Sequence, residues 1–370
     1  MGDSDFSGAV DNAMTSVGKL GTKAGNAVKE LADRETVERI IEGVKTGART
    51  AAGGIAKGAK IAADGIAKGT KEASDIICTD PDEYGNGGKG NIRVFRLKNG
   101  TAIPAVGFGT YLATEKNGKQ TILDALEAGY RYLDTASFYN NESEIGEAIK
   151  ESGIRREDIF ICSKVWPTML GAEKLKESFE ASCEKLGTDY LNMFLIHWPK
   201  VSQTDEGWID KLRESWAVME DLYMEDRIKA IGLSNFLPHH IRPLLETARV
   251  RPMLDQLELH VGYMQEYTLG YLKKKKIMAQ AWSPLGRAAL FNDERIVQLA
   301  EKYGKSGAQI LLRYLIQRGI PAIPKASSPE RMKENLEIFD FSLTEDEVSF
   351  LSCVTETGWS GEHPDIMEWG

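Results

Sequence analysis

YRYLDTASFYNNESE, residues 130–144, decides how the rest of the chain is read. It opens as a short apolar strand. Asp134 ends that strand, and Tyr139 follows in a polar loop that leads into a helical pattern. A strand that hands an acid to a loop carrying a phenol has the form of the C-terminal mouth of a barrel strand, where that architecture keeps its chemistry. A plainer reading is also open: Asp and Asn stop strands, and Ser143 would cap the next helix. The two readings separate on whether other strand ends carry matching residues.

Working outward, strand-like runs at 106–109, 130–135, 159–165, 192–198, 229–234, 253–259, 278–282 and 322–325 alternate with helical patterns. The helical stretches are 118–129, 142–152, 171–187, 210–226, 239–248 and 264–276, then two across 294–318 and a final one starting near Pro329. Eight strands in about 280 residues predict one parallel (β/α)8 TIM barrel of the α/β class. Ahead of it, IRVFRLKNGTAIP (92–104) reads as a β-hairpin turning at Asn99-Gly100. An open doubly wound sheet would want a glycine fingerprint after the first strand. Gly107-Phe108-Gly109-Thr110-Tyr111-Leu112 lacks the third glycine, and Leu299 stands where a P-loop ending in Gly304-Lys305-Ser306 needs its first.

Three further strand ends carry conspicuous residues: Lys164 and Trp166 in SKVW, His197 and Trp198 in LIHWP, Ser234 and Asn235 in GLSNF. Singly, a strand-end Lys is usually solvated, a lone His structural, and a Trp packing. Together on adjacent strand ends they suggest a site. A Tyr hydroxyl has a reference pKa near 10, and a nearby ammonium lowers it. Lys164 is placed to be that cation, with Asp134 as its ion-pair partner and His197 to orient a substrate oxygen. Asp134, Tyr139, Lys164 and His197 would then protonate an oxygen on which negative charge develops. That suits reduction of a carbonyl, given a hydride donor opposite.

A place for the donor is legible too. Trp282, in AWSPLG, offers a flat face to a nicotinamide ring, while Ser234, Asn235 and Gln256 offer partners to a carboxamide. In IPKASSPERMKEN, Lys325 ends the last strand, Ser327 and Ser328 precede Pro329 at a helix start, and Arg331 and Asn335 lie one turn apart. Cations beside free helix N–H groups make a site for a phosphate monoester. Tyr111, Phe138, Trp166 and Trp198 predict an apolar, aromatic mouth, with the segments 199–207 and after Thr355 shaping it.

The first ninety residues are a different kind of sequence. No aromatic residue occurs between Phe6 and Tyr84, and GVKTGARTAAG (43–53), GIAKGAKIAAD (54–64) and GIAKGTKEASD (65–75) repeat with a period of 11. Val44, Ile55 and Ile66 mark a narrow helical stripe, with Lys57, Lys60 and Asp64 facing away. Two glycines per unit weaken any helix. The expected state of this low-complexity extension is disordered or weakly helical. Its expected role is a weak contact with a membrane surface or a protein partner. NGGKGN (86–91) reads as the linker, so the expected division is 1–90 and 91–370.

The whole chain has 370 residues, 42% hydrophobic, with a formal net charge of −9. That balance argues against nucleic acid as the main partner. No run of 18 apolar residues suggests a spanning helix. The N-terminus carries Asp3, Asp5 and Asp11 instead of a leader's apolar core. Cys78, Cys162, Cys183 and Cys353 are widely spaced without CxxC, as expected of free thiols in a reducing, cytoplasmic setting.

From about residue 92 to 370 the chain resembles the aldo-keto reductases. LDTASFYNNE, SKVW, LIHWP, GLSNF, AWSPLG and IPKASSPERMKEN are six separate matches in order. The resemblance implies a catalytic tetrad of Asp134, Tyr139, Lys164 and His197, without a metal. It implies cofactor contacts for NADPH/NADP+ at Ser234, Asn235, Gln256, Trp282, Ser283 and Leu285. It also implies 2′-phosphate contacts at Lys325, Ser328 and Arg331, a further cofactor contact at Ser327, and Glu334 and Asn335 near the adenine. Ala326 stands where many members have Ser, removing one hydroxyl contact. Tyr111, Phe138, Trp166, His197 and Trp198 would meet a small carbonyl substrate in a monomeric barrel. A different class of reading is a cofactor-sensing or scaffolding barrel whose extension makes the functional contact. The extension's repeats resemble late-embryogenesis-abundant and synuclein-like segments in composition only.

Overall fold

The structure is a computed structural model and describes residues 82–84, 92–113 and 117–369. The repeats at 43–75 and the linker at 86–91 lie outside the described residues. The first strands are local. β1 (Asp82–Tyr84), β2 (Ile92–Arg96) and β3 (Ala102–Pro104) form an antiparallel sheet. The β2–β3 hairpin pairs Arg96 with Ala102 around Asn99-Gly100, as expected, and Asn99 Oδ1 accepts from Thr101 N at 3.1 Å. β1 is an addition that the alternation pattern did not signal. Three residues leave no period to read.

The barrel strands follow in chain order: β4 (Phe108–Gly109), β5 (Tyr132–Asp134), β6 (Phe160–Val165), β7 (Met193–Ile196), β8 (Ile231–Ser234), β9 (Leu254–Glu258) and β10 (Met278–Trp282). Each pairs in parallel with the next, so seven strands form one sheet. β6 to β9 are buried at every position. Strands buried on both faces read as near-continuous apolar runs and need helices outside them.

Those helices are α1 (Gly118–Ala128), α2 (Glu142–Ser152), α3 (Ala172–Leu186), α4 (Trp208–Met224), α5 (Pro238–Leu245), α6 (Glu266–Lys275), α7 (Glu294–Tyr303), α8 (Gly307–Gln317), α9 (Pro329–Leu336) and α10 (Glu345–Ser352). Each buries a stripe; in α1 it is Ile122, Ala125 and Leu126, at the 3- and 4-residue spacing of one helix face. Gly129, at φ 114°, stops α1 by donating its N–H to Ala125 and Leu126 carbonyls, and this releases the chain into β5.

The eighth strand expected at 322–325 is shorter than predicted. It reduces to parallel bridges at Ala322, one to Val106 and one to Ala281. Gly107 N donates to Ala322 O at 2.9 Å and Ala281 N to Pro321 O at 2.8 Å, so the ring still closes through main-chain bonds. Pro321 and Pro324 interrupt the donor row that a longer strand would need. α10 was not anticipated. Its signal was present: Thr344 and Glu347 make a reciprocal capping box. Among the described residues no helix is long and apolar enough to cross a membrane.

Candidate active site

The strand register sets the site. β5 and β6 pair Asp134 with Cys162, and β6 and β7 pair Lys164 with Leu195. This brings the ends of three strands to one side of the mouth. The Lys164 ammonium, fully buried, pairs with Asp134 Oδ1 and donates to Thr135 O at 2.9 Å. Tyr139 lies on a single 3-10 turn, Ser137–Tyr139, directly after β5. Its hydroxyl is 3.5 Å from His197 Nε2, and the Lys164 ammonium sits 5.1 Å from the centre of its ring. All four predicted residues therefore meet. Ser143 does not cap α2; Asn141 holds that position, and its side chain instead accepts from Thr135 Oγ1 at 2.7 Å and donates to Thr110. The loop between acid and phenol is thus braced from inside.

The electrostatics differ from the sequence expectation in one respect. Lys164 does pull the Tyr139 phenol down, but burial is the larger influence and the Asp134 charge opposes Lys164, so the phenol is pushed up to about 12. It is a firmly protonated donor. Burial also works against the Lys164 ammonium, yet Asp134, with Tyr139 and Cys162, outweighs it and holds the group charged above its ordinary value. Burial, then Lys164, drives His197 well below the ordinary histidine range, so the imidazole is neutral. His197 Nδ1 is buried and has no partner among the described residues. An orphaned lone pair is more easily tolerated than an orphaned N–H. That places the proton on Nε2, toward Tyr139.

The predicted carboxamide partners lie one strand on. Ser234 pairs in register with Gln256, and its Oγ donates to Gln256 O at 3.0 Å. Asn235, in the left-handed region at φ 62°, donates from Nδ2 to His197 O at 3.0 Å and accepts from Trp282 Nε1 at 2.8 Å. That last bond fixes the half-buried indole. Ser283 and Leu285 are half-buried in the turn that follows. Beyond the Ala322 bridges, next to β10, Lys325, Ser327 and Arg331 are exposed, and neither cation has an acidic partner among the described residues. Ser328 Oγ caps α9 by accepting from Arg331 N. Glu334 is half-buried. Asn335 is buried, so it presents little surface to a ligand. A flat indole held beside amide groups, with two unpaired cations at a helix start, has the donor set that a nicotinamide dinucleotide phosphate requires.

Comparison with known proteins decides the family: the model for the Aldo/keto reductase family matches residues 105–354. The chain belongs to the aldo/keto reductase family. It is an oxidoreductase. It is 42% identical over 278 residues to the uncharacterized oxidoreductase YtbE of Bacillus subtilis, covering 74% of this chain and 96% of that protein. It is 39% identical over 273 residues to the glyoxal reductase of Bacillus subtilis, with 74% and 96% covered. Among solved structures, a Bombyx mori aldo-keto reductase in complex with NADP superposes with a TM-score of 0.65 at 32% identity, covering 70% of this chain and 92% of that one.

The mouth of this aldo/keto reductase is aromatic. Phe138 stacks on Trp166 with centroids 3.8 Å apart, and Trp166 stands edge-on to His197 at 5.1 Å. Tyr111 is half-exposed and lies 4.9 Å from the Tyr139 ring. Trp198 is only 3% exposed, because Trp369 covers it. Trp369 was missed by sequence reasoning. Its ring packs 4.9 Å from both Trp166 and Trp198, and its main-chain N–H donates to Val201 O at 2.8 Å. A lone tryptophan in the polar run EHPDIMEWG was the available signal.

Asp365 anchors that tail. Its Oδ1 lies 2.9 Å from His240 Nε2, 3.1 Å from His239 Nε2 and 3.3 Å from Lys200 Nζ. Two histidines and an acid resemble a metal cluster. However, His240 Nδ1 accepts the Leu237 N–H at 3.1 Å, which puts the ring proton on Nε2 as a donor to Asp365. Lys200 already supplies positive charge there. The group is a latch for the tail. Further back, Ser360 donates through N and Oγ to the two oxygens of buried Glu258, at 3.0 and 2.7 Å.

Proposed function

We propose that the protein reduces small aldehydes and ketones to alcohols with NADPH. The observation that carries this is the convergence of Tyr139, neutral His197 and the Lys164–Asp134 pair at one strand-end cluster. A nicotinamide held beside those strand-end residues would supply the hydride for the carbonyl carbon. His197 Nε2–H and the Tyr139 hydroxyl both donate to the substrate oxygen. As charge develops on that oxygen, Tyr139 gives up its proton, and Lys164 stabilises the phenolate that remains. Asp134 keeps the ammonium charged and in place. Ser234, Asn235, Gln256 and Trp282 orient the nicotinamide, with Ser283 and Leu285 beside it. Lys325, Ser328 and Arg331 take the 2′-phosphate, with Ser327 beside them, and Glu334 borders the adenine. Tyr111, Phe138 and Trp166 frame an apolar substrate entrance, with Trp369 lying over the buried Trp198. The glyoxal reductase relative makes short dicarbonyls the first substrates to try. The test is a panel of glyoxal, methylglyoxal and aromatic aldehydes with NADPH and NADH side by side. Reduction with NADPH preferred is the expected result; no turnover of any carbonyl overturns the proposal.

Residues 91–370 are read as the complete catalytic unit, acting as a cytoplasmic monomer. Residues 1–90 are read as an extension that makes weak, salt-sensitive contacts with anionic surfaces. Lys57, Lys60, Lys68 and Lys71 support this, while Asp64, Glu72 and Asp75 limit it. A 91–370 protein should keep its turnover, and a 1–90 fragment should gain helical circular dichroism only on anionic vesicles.

A further inference from the structure

A polar layer lies beneath the tetrad, and the reaction as described does not use all of it. Asp134 Oδ2, the oxygen not taken by Lys164, accepts from Gln256 Nε2 at 2.7 Å and lies 3.3 Å from Tyr132 Oη. Gln256 Nε2 also donates to Gln280 Oε1 at 2.8 Å. The same Gln280 oxygen is 3.2 Å from Tyr132 Oη. Gln256 and Gln280 are register partners on β9 and β10, so the two amides point to one side of the sheet. Tyr132 is fully buried. Its ring occupies space left by Gly107, where a Cβ would come within 2.6 Å of it.

The orientations in this layer follow from one charge. Asp134 forms the buried ion pair with Lys164, and a carboxylate oxygen can only accept. Gln256 must therefore turn its NH2 group, not its carbonyl, toward Asp134. The second hydrogen of that NH2 group needs its own acceptor, which Gln280 Oε1 provides. Gln280 keeps this orientation although its Nε2 is left buried without a partner among the described residues. A flipped Gln280 would set two NH2 groups against each other. Burial keeps the Tyr132 hydroxyl protonated, so it too can donate into this layer. Both hydrogens of Gln256 are thus committed inward. What remains for a ligand is Oε1, an acceptor only.

We propose that Tyr132 and Gln280 are positioning residues that lock the Gln256 amide, so that its oxygen selects a dinucleotide head bearing an N–H donor. This rests on the reading of Gln256 as a carboxamide contact. The layer joins cofactor choice to the tetrad through Asp134, which is common to both. It also gives Gln280 and Tyr132 a role that neither has through direct contact with substrate or cofactor.

The test is equilibrium binding of NADP+ and its 3-acetylpyridine analogue, read by tryptophan fluorescence without turnover. The analogue carries a methyl ketone in place of the carboxamide and has no N–H to donate. The full-length protein should prefer NADP+ by about 3- to 10-fold, the scale of one net hydrogen bond. Gln280→Leu and Tyr132→Phe should bring that preference within about twofold, by weakening NADP+ while leaving the analogue unchanged. Tyr132→Phe removes only a hydroxyl, so it keeps the test usable if Gln280→Leu folds poorly. Both dinucleotides weakening together would mark a merely structural role and overturn the proposal. So would variants that retain the full preference. If the unaltered protein binds both dinucleotides equally, the Gln256 contact itself is wrong; if it binds neither, the reductase reading fails first.

Discussion

The two sides of the barrel mouth are built on opposite plans. At the ends of β5, β6 and β7, Asp134 and Lys164 are buried and paired, and buried His197 lies 3.5 Å from the Tyr139 hydroxyl, before any ligand arrives. Beside the Ala322 bridges, Lys325 and Arg331 are exposed cations with no acidic partner among the described residues. Chemistry needs fixed charges in a dry place, because a preorganised dipole stabilises a transition state without reorganising. Gripping a phosphate needs only cations that can be approached from water. Damage to the first side should therefore be large and cooperative, while damage to the second should be moderate and sensitive to salt.

The sharpest break in that contrast comes from Tyr139→Phe. It removes the proton donor and should lower reductive turnover by about 10²- to 10⁴-fold, with dinucleotide affinity nearly intact. Near-normal turnover on an aldehyde would falsify the assignment. Lys164→Met comes next. It strands the Asp134 carboxylate in the interior and should destabilise the barrel by about 3–5 kcal/mol in urea unfolding, besides impairing turnover. An unchanged midpoint would mean the pair is not buried as described.

On the open side, Arg331→Ala should weaken NADPH by roughly 10- to 100-fold and leave NADH little changed. The NADPH preference should also shrink as salt rises. Equal loss for both dinucleotides would remove the 2′-phosphate role. The smallest effect concerns pH. Reduction needs Tyr139 protonated and His197 neutral. Burial holds the phenol up at about 12 and the imidazole well below its ordinary value, so both are in the required form through the neutral range. Turnover should vary by less than about twofold between about pH 6 and pH 9, and should fall only at higher pH as the phenol loses its proton. A break near pH 7 would show a titrating histidine and sink the neutral-imidazole assignment.

What the amino-acid order determined by itself was local. Short apolar runs and period-3.6 patterns placed most of the strands and the first nine barrel helices, and each strand end named its own polar residue. Asp134, Tyr139, Lys164 and His197 were legible because a barrel puts every strand end at one face, so their order along the chain was enough. The same logic placed Lys325, Ser328 and Arg331 around a helix start. It failed at the eighth strand, where prolines cut the ladder to bridges, and at α10, whose capping box was passed over.

Only the tertiary structure decided the rest. Tyr132 and Gln280 are 148 residues apart and meet because the ring closes. Trp369, the penultimate residue, reaches Trp166 and Trp198 only once Asp365 is latched to α5. The direction of the Tyr139 shift was likewise beyond the sequence. A motif shows that an ammonium is near a phenol, but the outcome depends on how much water the fold removes. Here burial outweighs the cation, and that balance exists only in three dimensions.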